Sequence, residues 1–235
     1  MDPLARLKEA RLQGVLPDKV CDLVLRRFAG IVVPGIDRIE RTTGLAYPAA
    51  YVEPAAVISP AAQFGYGVLF ARTVPVVVEG DFSVVVQISA PLVAYGLKGA
   101  VHAVLSHEFL HYLELMRRIH RGDLLSDEIT GNLFESVYAD ESRTLEPGAV
   151  FDDRTLVSHI RKRFGAGFRD SRLEKKVVEQ WINRGLPKIS VLPDMNTASI
   201  PAESLSSVRL PLETAQRLEE MYQKSVSIRS RRRLY

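Results

Sequence analysis

The sequence contains almost no cysteine. Cys21 is the single thiol among 235 residues, and one thiol can form neither an intrachain disulfide nor a zinc site built from cysteines alone. A reducing compartment, the cytoplasm, is therefore the expected location. The N-terminal stretch MDPLARLKEARLQG is charged throughout and lacks the apolar core of a signal peptide, which agrees with that expectation.

An apolar run long enough to cross a membrane is also missing. The longest uncharged stretch, residues 54–71, contains Pro60, Gln63, Gly65 and Gly67, a combination that a spanning helix tolerates poorly. No basic cluster flanks it. The sequence therefore predicts a soluble protein without a transmembrane segment.

A large excess of either charge sign is absent as well. Lys plus Arg number 31 and Asp plus Glu 28, so the net charge is only +3 although the pI is near 9.0. Four arginines lie within the last seven residues, and without them 27 basic residues remain against 28 acidic ones. This tail could contact phosphates, a membrane surface or an acidic partner, or it could be a flexible solubilising end.

Charge is nevertheless unevenly placed within the body of the chain. Residues 123–146 are predominantly acidic and residues 154–176 predominantly basic. The acidic block would favour a bound cation and basic substrates, or the two blocks could simply face each other. The overall composition, 46% hydrophobic and 25% charged, is that of an ordinary globular protein and excludes a disordered or fibrous one.

Hydrophobic spacing predicts an α+β fold. Three runs rich in Val, Ile and Phe predict strands over residues 66–71, 74–79 and 82–88, with Glu79-Gly80-Asp81 joining the last two as a hairpin. Apolar residues three and four apart then predict one long helix from about Gly99 through Met116.

Further helices are predicted on both sides of this one. They run from Pro17 to Gly30, which we expect to end the helix, and from Ser126 to about Leu145. Three more follow Pro147 and are indicated by the spacing of Leu156, Ile160 and Phe164, by a capping box at Ser171 to Glu174, and by the run that begins at Pro211.

Two proline-containing segments are predicted to lack regular structure. The triplet Pro-Ala-Ala begins at Pro48, Pro54 and Pro60, which excludes a continuous helix and favours extended or turn backbone. We interpret this region as an irregular segment that wraps the surface. Residues 186–211 contain four prolines and are predicted to form a long loop.

One pentapeptide has a clear chemical meaning. Residues 107–111, His-Glu-Phe-Leu-His, have the pattern H-E-x-x-H and lie inside the predicted long helix. Residues four apart on a helix differ by about 40° and one turn, so His107 and His111 project from one face and can bind one metal ion. Glu108 can then act as general base on a metal-bound water. Burying these three polar side chains without such a partner would be costly.

The motif, placed on a helix that follows strands, resembles the zincin metallopeptidases over roughly fifty residues. The resemblance implies an α+β, zincin-like fold in which a small mixed sheet packs on the active-site helix, with additional C-terminal helices here. It implies Zn²⁺ as the cofactor, bound by His107 and His111, and a peptide or protein as the substrate. The metzincin subgroup is excluded, because Glu114 and Arg117 replace its conserved Gly and His. His120 would point to nearly the opposite face.

In the gluzincin subgroup a glutamate from a following helix completes the ligand set. Glu135, 24 residues after His111, is our choice, because its apolar neighbours indicate a half-buried helix face where an unpaired carboxylate would be costly. Glu128, Asp140 and Glu141 are the alternatives. The aspartate that commonly follows the ligand by four residues is absent, since Ala139 occupies that position.

The resemblance also implies how a substrate would be held. The substrate of gluzincin-like enzymes lies against an edge strand before the active-site helix, and residues 82–88 are the candidate here. Four residues are candidates for the hydrogen-bond donor that stabilises the oxyanion: Tyr112, Tyr138, Arg143 and His159.

These observations predict a zincin-like catalytic domain over residues 1–146 with N-terminal helices, followed by a mostly helical extension over residues 147–235, unless the chain is one domain. The extension could act as a lid, a specificity domain or an inhibitory segment. The predicted function is that of a zinc metallopeptidase, an endopeptidase with Glu108 as general base. One alternative is a non-catalytic zincin-scaffold protein recruited to nucleic acid by its basic C-terminal segments. Another is a zinc hydrolase of a non-peptide amide. Natural substrate and oligomeric state stay open.

Overall fold

The computed structural model describes residues 2–59, 67–122, 145–164, 170–190, 204–205 and 208–232. These residues form an α+β protein with two small sheets and several helices, in agreement with the predicted class. Among the described helices, none has the length and apolar character that a membrane crossing requires.

The N-terminal part is helical. It contains α1 (Ala5–Leu12), α2 (Asp18–Arg27) and α3 (Val33–Thr43), and a π-helical turn, Phe28–Val32, joins the last two into one continuous helix. The prediction that Gly30 ends this helix is therefore wrong. Phe28 and Val32 are buried, and extending the apolar stripe through them outweighs the cost of one helical glycine, about 1 kcal/mol.

The strands are β1 (Ala49–Glu53), β2 (Ala56–Ser59), β3 (Gly67–Leu69), β4 (Ala71–Val78), β5 (Asp81–Ser89) and β6 (Lys188–Ser190). The first sheet has the order β1-β5-β4, with β1 parallel and β4 antiparallel to β5. The predicted hairpin between β4 and β5 is confirmed. Its turn consists of Glu79 and Gly80 with φ of 53° and 90°, and positive φ at both positions matches the twist of the flanking strands.

The second sheet has the order β3-β2-β6, with β2 antiparallel to β3 and parallel to β6. Three strands of the two sheets correct two predictions: β1 and β2 lie where we predicted an irregular segment, and β6 lies within the predicted loop 186–211. Pro48 directly precedes β1, and Pro54 lies in the two-residue link between β1 and β2, where the missing N–H is tolerated. Pairing partners more than a hundred residues away, as for β2 and β6, leave no local sequence signal.

The remaining helices are α4 (Ala90–Tyr95), α5 (Lys98–Arg121), α6 (Pro147–Val150), α7 (Arg154–Phe164), α8 (Ser171–Val177) with a π-helical turn over Val178–Ile182, and α9 (Leu212–Arg232). The long helix and the three C-terminal helices are confirmed. The cap of α8 is Asp170 rather than Ser171, because the Leu173 N–H donates to the Asp170 carboxylate at 3.1 Å. The predicted helix from Ser126 lies outside the described residues.

One apolar core joins elements from both sides of Pro147. It includes Ile88 from β5, Leu105 and Phe109 from α5, Leu156 from α7 and Trp181 from the second π-helical turn. The chain after Pro147 therefore shares its buried surface with the sheet and with α5.

The arginine-rich tail is ordered helix through Arg232. The guanidinium groups of Arg229 and Arg232 lie 3.8 Å and 3.1 Å from the Glu146 carboxylate, and the Glu146 N–H donates to Ser225 Oγ at 3.0 Å. A flexible solubilising end is therefore the wrong interpretation for this part of the tail.

Candidate functional site

The H-E-x-x-H residues lie in the middle of α5, which has 24 residues. Most of α5 is buried, and it packs against β4 of the first sheet and against the helices α3, α7 and α9. His107 and His111 are half-buried, whereas Glu108 is only 6% exposed. The three side chains therefore share one short segment but face different surroundings.

The two imidazoles meet as the helical spacing predicts. Their Nε2 atoms are 3.0 Å apart, and the ring planes are nearly perpendicular. In a tetrahedral zinc site with Zn–N bonds near 2.0–2.1 Å, two nitrogens stand about 3.3 Å apart. A shift of a few tenths of an ångström would therefore let both nitrogens bind one metal ion.

Both imidazoles are neutral at neutral pH. Burial, with a smaller effect of His111, lowers the pKa of His107 well below its usual value, and burial lowers the pKa of His111 to about 4. The neutral ring is the form that binds a metal. The pair thus fits zinc in donor chemistry and in spacing.

The rest of the ligand set is not found in the described part of the chain. No group of three His, Cys, Asp or Glu side chains comes together there. Glu135 and the alternatives Glu128, Asp140 and Glu141 all fall within residues 123–144, which lie outside the described residues. The third ligand therefore stays a prediction.

Phe164, the last residue of α7, covers one face of His107. Their ring centroids are 3.8 Å apart with planes 12° from parallel. The spacing of Leu156, Ile160 and Phe164 predicts only a helix, and nothing local connects Phe164 with a histidine 57 residues earlier. The stacking restricts the plane of the His107 ring.

Glu108 is held by a hydroxyl from the sheet. Thr73 Oγ1, on β4, lies 2.9 Å from Glu108 Oε2 and 3.0 Å from the Glu108 carbonyl oxygen. Burial raises the pKa of Glu108 to about 7, against the opposing effect of the Thr73 hydrogen bonds. No motif in the sequence points to Thr73 as a site residue. The available signal is the alternation along β4, in which the buried positions are Ala71, Thr73 and Pro75 and only Thr73 has a polar side chain.

Tyr47 packs beneath the same turn of α5. Its hydroxyl donates to the Leu105 carbonyl at 2.9 Å, and its ring stacks on Phe109 with centroids 5.4 Å apart. Burial raises the pKa of Tyr47, and the Glu108 charge adds to this effect. Tyr47 thus stays a neutral donor that buttresses the helix.

The strand predicted to receive substrate is not an edge strand. β5, which contains residues 82–88, is the central strand of its sheet because β1 pairs with its other side. Among the described residues, β4 forms the edge nearest to Glu108, as the Thr73 contact shows. Pro75 interrupts the row of N–H donors along β4.

The candidate oxyanion donors are widely separated. Tyr112 is half-buried beside His111, with its ring tilted against Phe109. His159 packs against Gly99, which is eight residues before His107 and so about 12 Å away along the helix axis. Tyr138 and Arg143 lie outside the described residues. His120 is exposed at the end of α5, consistent with its predicted orientation.

Comparisons with known protein families, with curated proteins and with solved structures found no match for this chain. The resemblance to zincins therefore stays an expectation from the H-E-x-x-H motif.

Proposed function

We propose that this protein is a zinc-dependent metallopeptidase of the gluzincin type that hydrolyses peptide bonds in peptide or protein substrates. The observation that carries the proposal is the approach of His107 Nε2 to within 3.0 Å of His111 Nε2, with the buried carboxyl group of Glu108 next to the pair in the helix. Two neutral imidazoles at this distance would supply two of the three protein ligands that a catalytic zinc site takes.

In this proposal His107, His111 and Glu135 hold the metal. Bound zinc would supply Lewis-acid polarisation of the scissile carbonyl and activation of water. The low pKa values of the two histidines support the assignment, because protons would not compete with the metal near neutral pH.

The role of Glu108 is proton transfer. Thr73 occupies Oε2, whereas Oε1 has no hydrogen-bond partner among the described residues, so Oε1 is the atom that accepts the proton of the attacking water. The same oxygen then donates that proton to the leaving amine. A pKa of about 7 suits both directions of transfer near neutral pH.

Two neighbouring elements would support the reaction. Phe164 covers His107 and keeps water from that face of the ring. Among the described strands β4 pairs only with β5, so its other edge would receive an extended peptide through main-chain hydrogen bonds, next to Thr73 and Glu108. β4 thus replaces the central strand β5 as the proposed substrate strand.

Glu108→Gln tests the proposal directly. The variant should bind one zinc ion as the parent does, while its kcat/KM for a denatured, fluorescently labelled protein falls by at least about 100-fold, the typical contribution of a general base. Glu220→Gln is the matched control, since Glu220 is exposed on α9, and it should leave activity unchanged. Full activity in Glu108→Gln, or no cleavage by the zinc-loaded parent, would contradict the proposal.

A further inference from the structure

Two basic segments that are distant in the sequence meet on one face of the molecule. Arg161 of α7 lies 4.0 Å from the Glu146 carboxylate, and Arg229 and Arg232 of α9 approach the same carboxylate to 3.8 Å and 3.1 Å. The basic block after residue 154 and the arginine-rich tail are thereby joined into one surface.

Two arginines of this cluster present positive charge to solvent. Glu146 is 5% exposed, and its single negative charge is shared by Arg161 and Arg232. Its Oε2 has no hydrogen-bond partner in the described part of the chain. Arg161 and Arg232 keep 47% and 45% of their side-chain surface exposed. Their mutual repulsion is therefore only partly neutralised, and their outer N–H groups face solvent.

A cavity of about 680 Å³ next to the cluster is also lined by basic side chains. One wall is a face of α7 that carries Arg154, Ser158, Arg161 and Lys162, and the only acid in its lining is Asp152. Residues 154, 158 and 162 are four apart and so lie in one row along the helix. Arg154 is in the first turn of α7, where the helix dipole disfavours a cation. An anion bound there would be stabilised both by the helix dipole and by the charge of Arg154.

We propose that this basic face, formed by Arg154, Arg161, Lys162 and Arg232, binds the phosphodiester backbone of a nucleic acid. Guanidinium groups match phosphate oxygens with paired N–H donors, and the Ser158 hydroxyl adds a neutral donor of the kind that contacts backbones. A concave, charge-lined cavity suits a strand of phosphates better than a flat bilayer, which is contacted by protruding basic and apolar side chains. Binding is set by charge and is independent of base sequence.

The test is fluorescence anisotropy of the full chain with labelled twenty-nucleotide single-stranded DNA, single-stranded RNA and duplex DNA, between about 50 and 200 mM salt. The variant is Arg154→Gln/Lys162→Gln, which removes two exposed cations of the cavity lining and leaves the Glu146 ion pairs intact. We expect its affinity to fall at least about tenfold at about 100 mM salt, and the slope of log K against log salt to become shallower by about 2. The DNA and RNA arms show which backbone is preferred.

The matched control is Lys19→Gln/Arg26→Gln, which removes the same charge from exposed positions elsewhere and should change affinity less than about twofold. Absence of binding by the parent protein at about 50 mM salt, or an equal loss in both double variants, would overturn the proposal. It would also be overturned if vesicles containing anionic lipid or a polyglutamate peptide bind through this face while all three nucleic acids do not. Circular dichroism melts verify that both variants are folded.

Discussion

The rings of Phe164 and His107 are stacked, with their centroids 3.8 Å apart and their planes 12° from parallel. Through this contact the end of α7, in the C-terminal part of the chain, touches the first residue of the H-E-x-x-H motif. The proposed metal site is thus assembled from sequence segments on both sides of Pro147.

Replacing Phe164 by leucine should weaken zinc binding. The shorter side chain keeps an apolar contact but removes the flat surface that restricts the His107 ring, and residues that orient a ligand typically contribute about tenfold or more to metal affinity. A competition titration against a chelating dye measures the effect. Phe151→Leu is the control, since Phe151 is buried near Phe109. Equal zinc affinities in the two variants would show that the stacking has no effect on the metal.

Thr73→Val should move the acidic limb of the pH–rate profile to higher pH. The Thr73 hydrogen bonds lower the pKa of Glu108 against the larger effect of burial, so their removal raises that pKa and reduces the fraction of ionised base at neutral pH. Thr73→Ser keeps the hydroxyl and should restore the parent profile. An unshifted limb in Thr73→Val, with kcat/KM unchanged, would mean that Thr73 does not position the base.

Substitution of the predicted third ligand should reduce zinc occupancy. Glu135→Gln removes one of the three proposed ligands, and we expect at least a tenfold loss of zinc affinity. Glu128→Gln, Asp140→Asn and Glu141→Gln serve as comparisons, measured by metal analysis after dialysis. If one of these three loses zinc and Glu135→Gln does not, the ligand is that residue.

Gly35→Ala should destabilise the protein, whereas Gly30→Ala should not. A Cβ at Gly35 would lie 2.9 Å from His102 Cδ2 and 3.0 Å from Leu105 Cδ1, while a Cβ at Gly30 meets nothing within 4 Å. Overpacking costs about 1–3 kcal/mol, and alanine at an open helical position is favoured over glycine by about 0.5–1 kcal/mol. Urea denaturation of both variants measures the difference. Similar free energies of unfolding in the two variants would show that the His102 ring moves aside at little energetic cost.

The ion pair between Arg38 and Asp153 should make the free energy of unfolding depend on pH in the acidic range. Arg38 Nη2 lies 2.6 Å from Asp153 Oδ2, and the Leu156 N–H donates to Asp153 Oδ1 at 2.9 Å. Burial alone would raise the pKa of Asp153, but these hydrogen bonds outweigh it and hold the pKa below 3.8. The ion pair therefore stabilises the protein at pH values above the pKa of Asp153 in the unfolded chain. This stabilisation is lost as the pH falls through the lower pKa of Asp153 in the folded protein.

Asp153→Asn tests this dependence. The variant should unfold more easily than the parent by about 0.5–1.5 kcal/mol at neutral pH, and this difference should shrink below about pH 4. Denaturation midpoints over a pH series measure it. A difference that stays constant down to about pH 2 would show that Asp153 contributes no linked proton.

Local periodicity was sufficient for much of the fold. The apolar spacing predicted α5, the hairpin between β4 and β5, and the three C-terminal helices, because such elements form from contacts between near neighbours. The same spacing placed His107 and His111 on one face, where the structure brings their Nε2 atoms together. Elements that depend on distant partners were missed, namely β1, β2 and β6.

The sequence by itself determined the α+β class, the long helix and the pair of histidines that could share a metal. Only the tertiary structure decided that Phe164 covers His107, that Thr73 holds Glu108, that β4 rather than β5 is the sheet edge, and that the arginine-rich tail meets α7 at Glu146. The physical reason is that each of these contacts joins residues separated by tens of positions. Such contacts arise from packing around a common core, and no local pattern of residues encodes them.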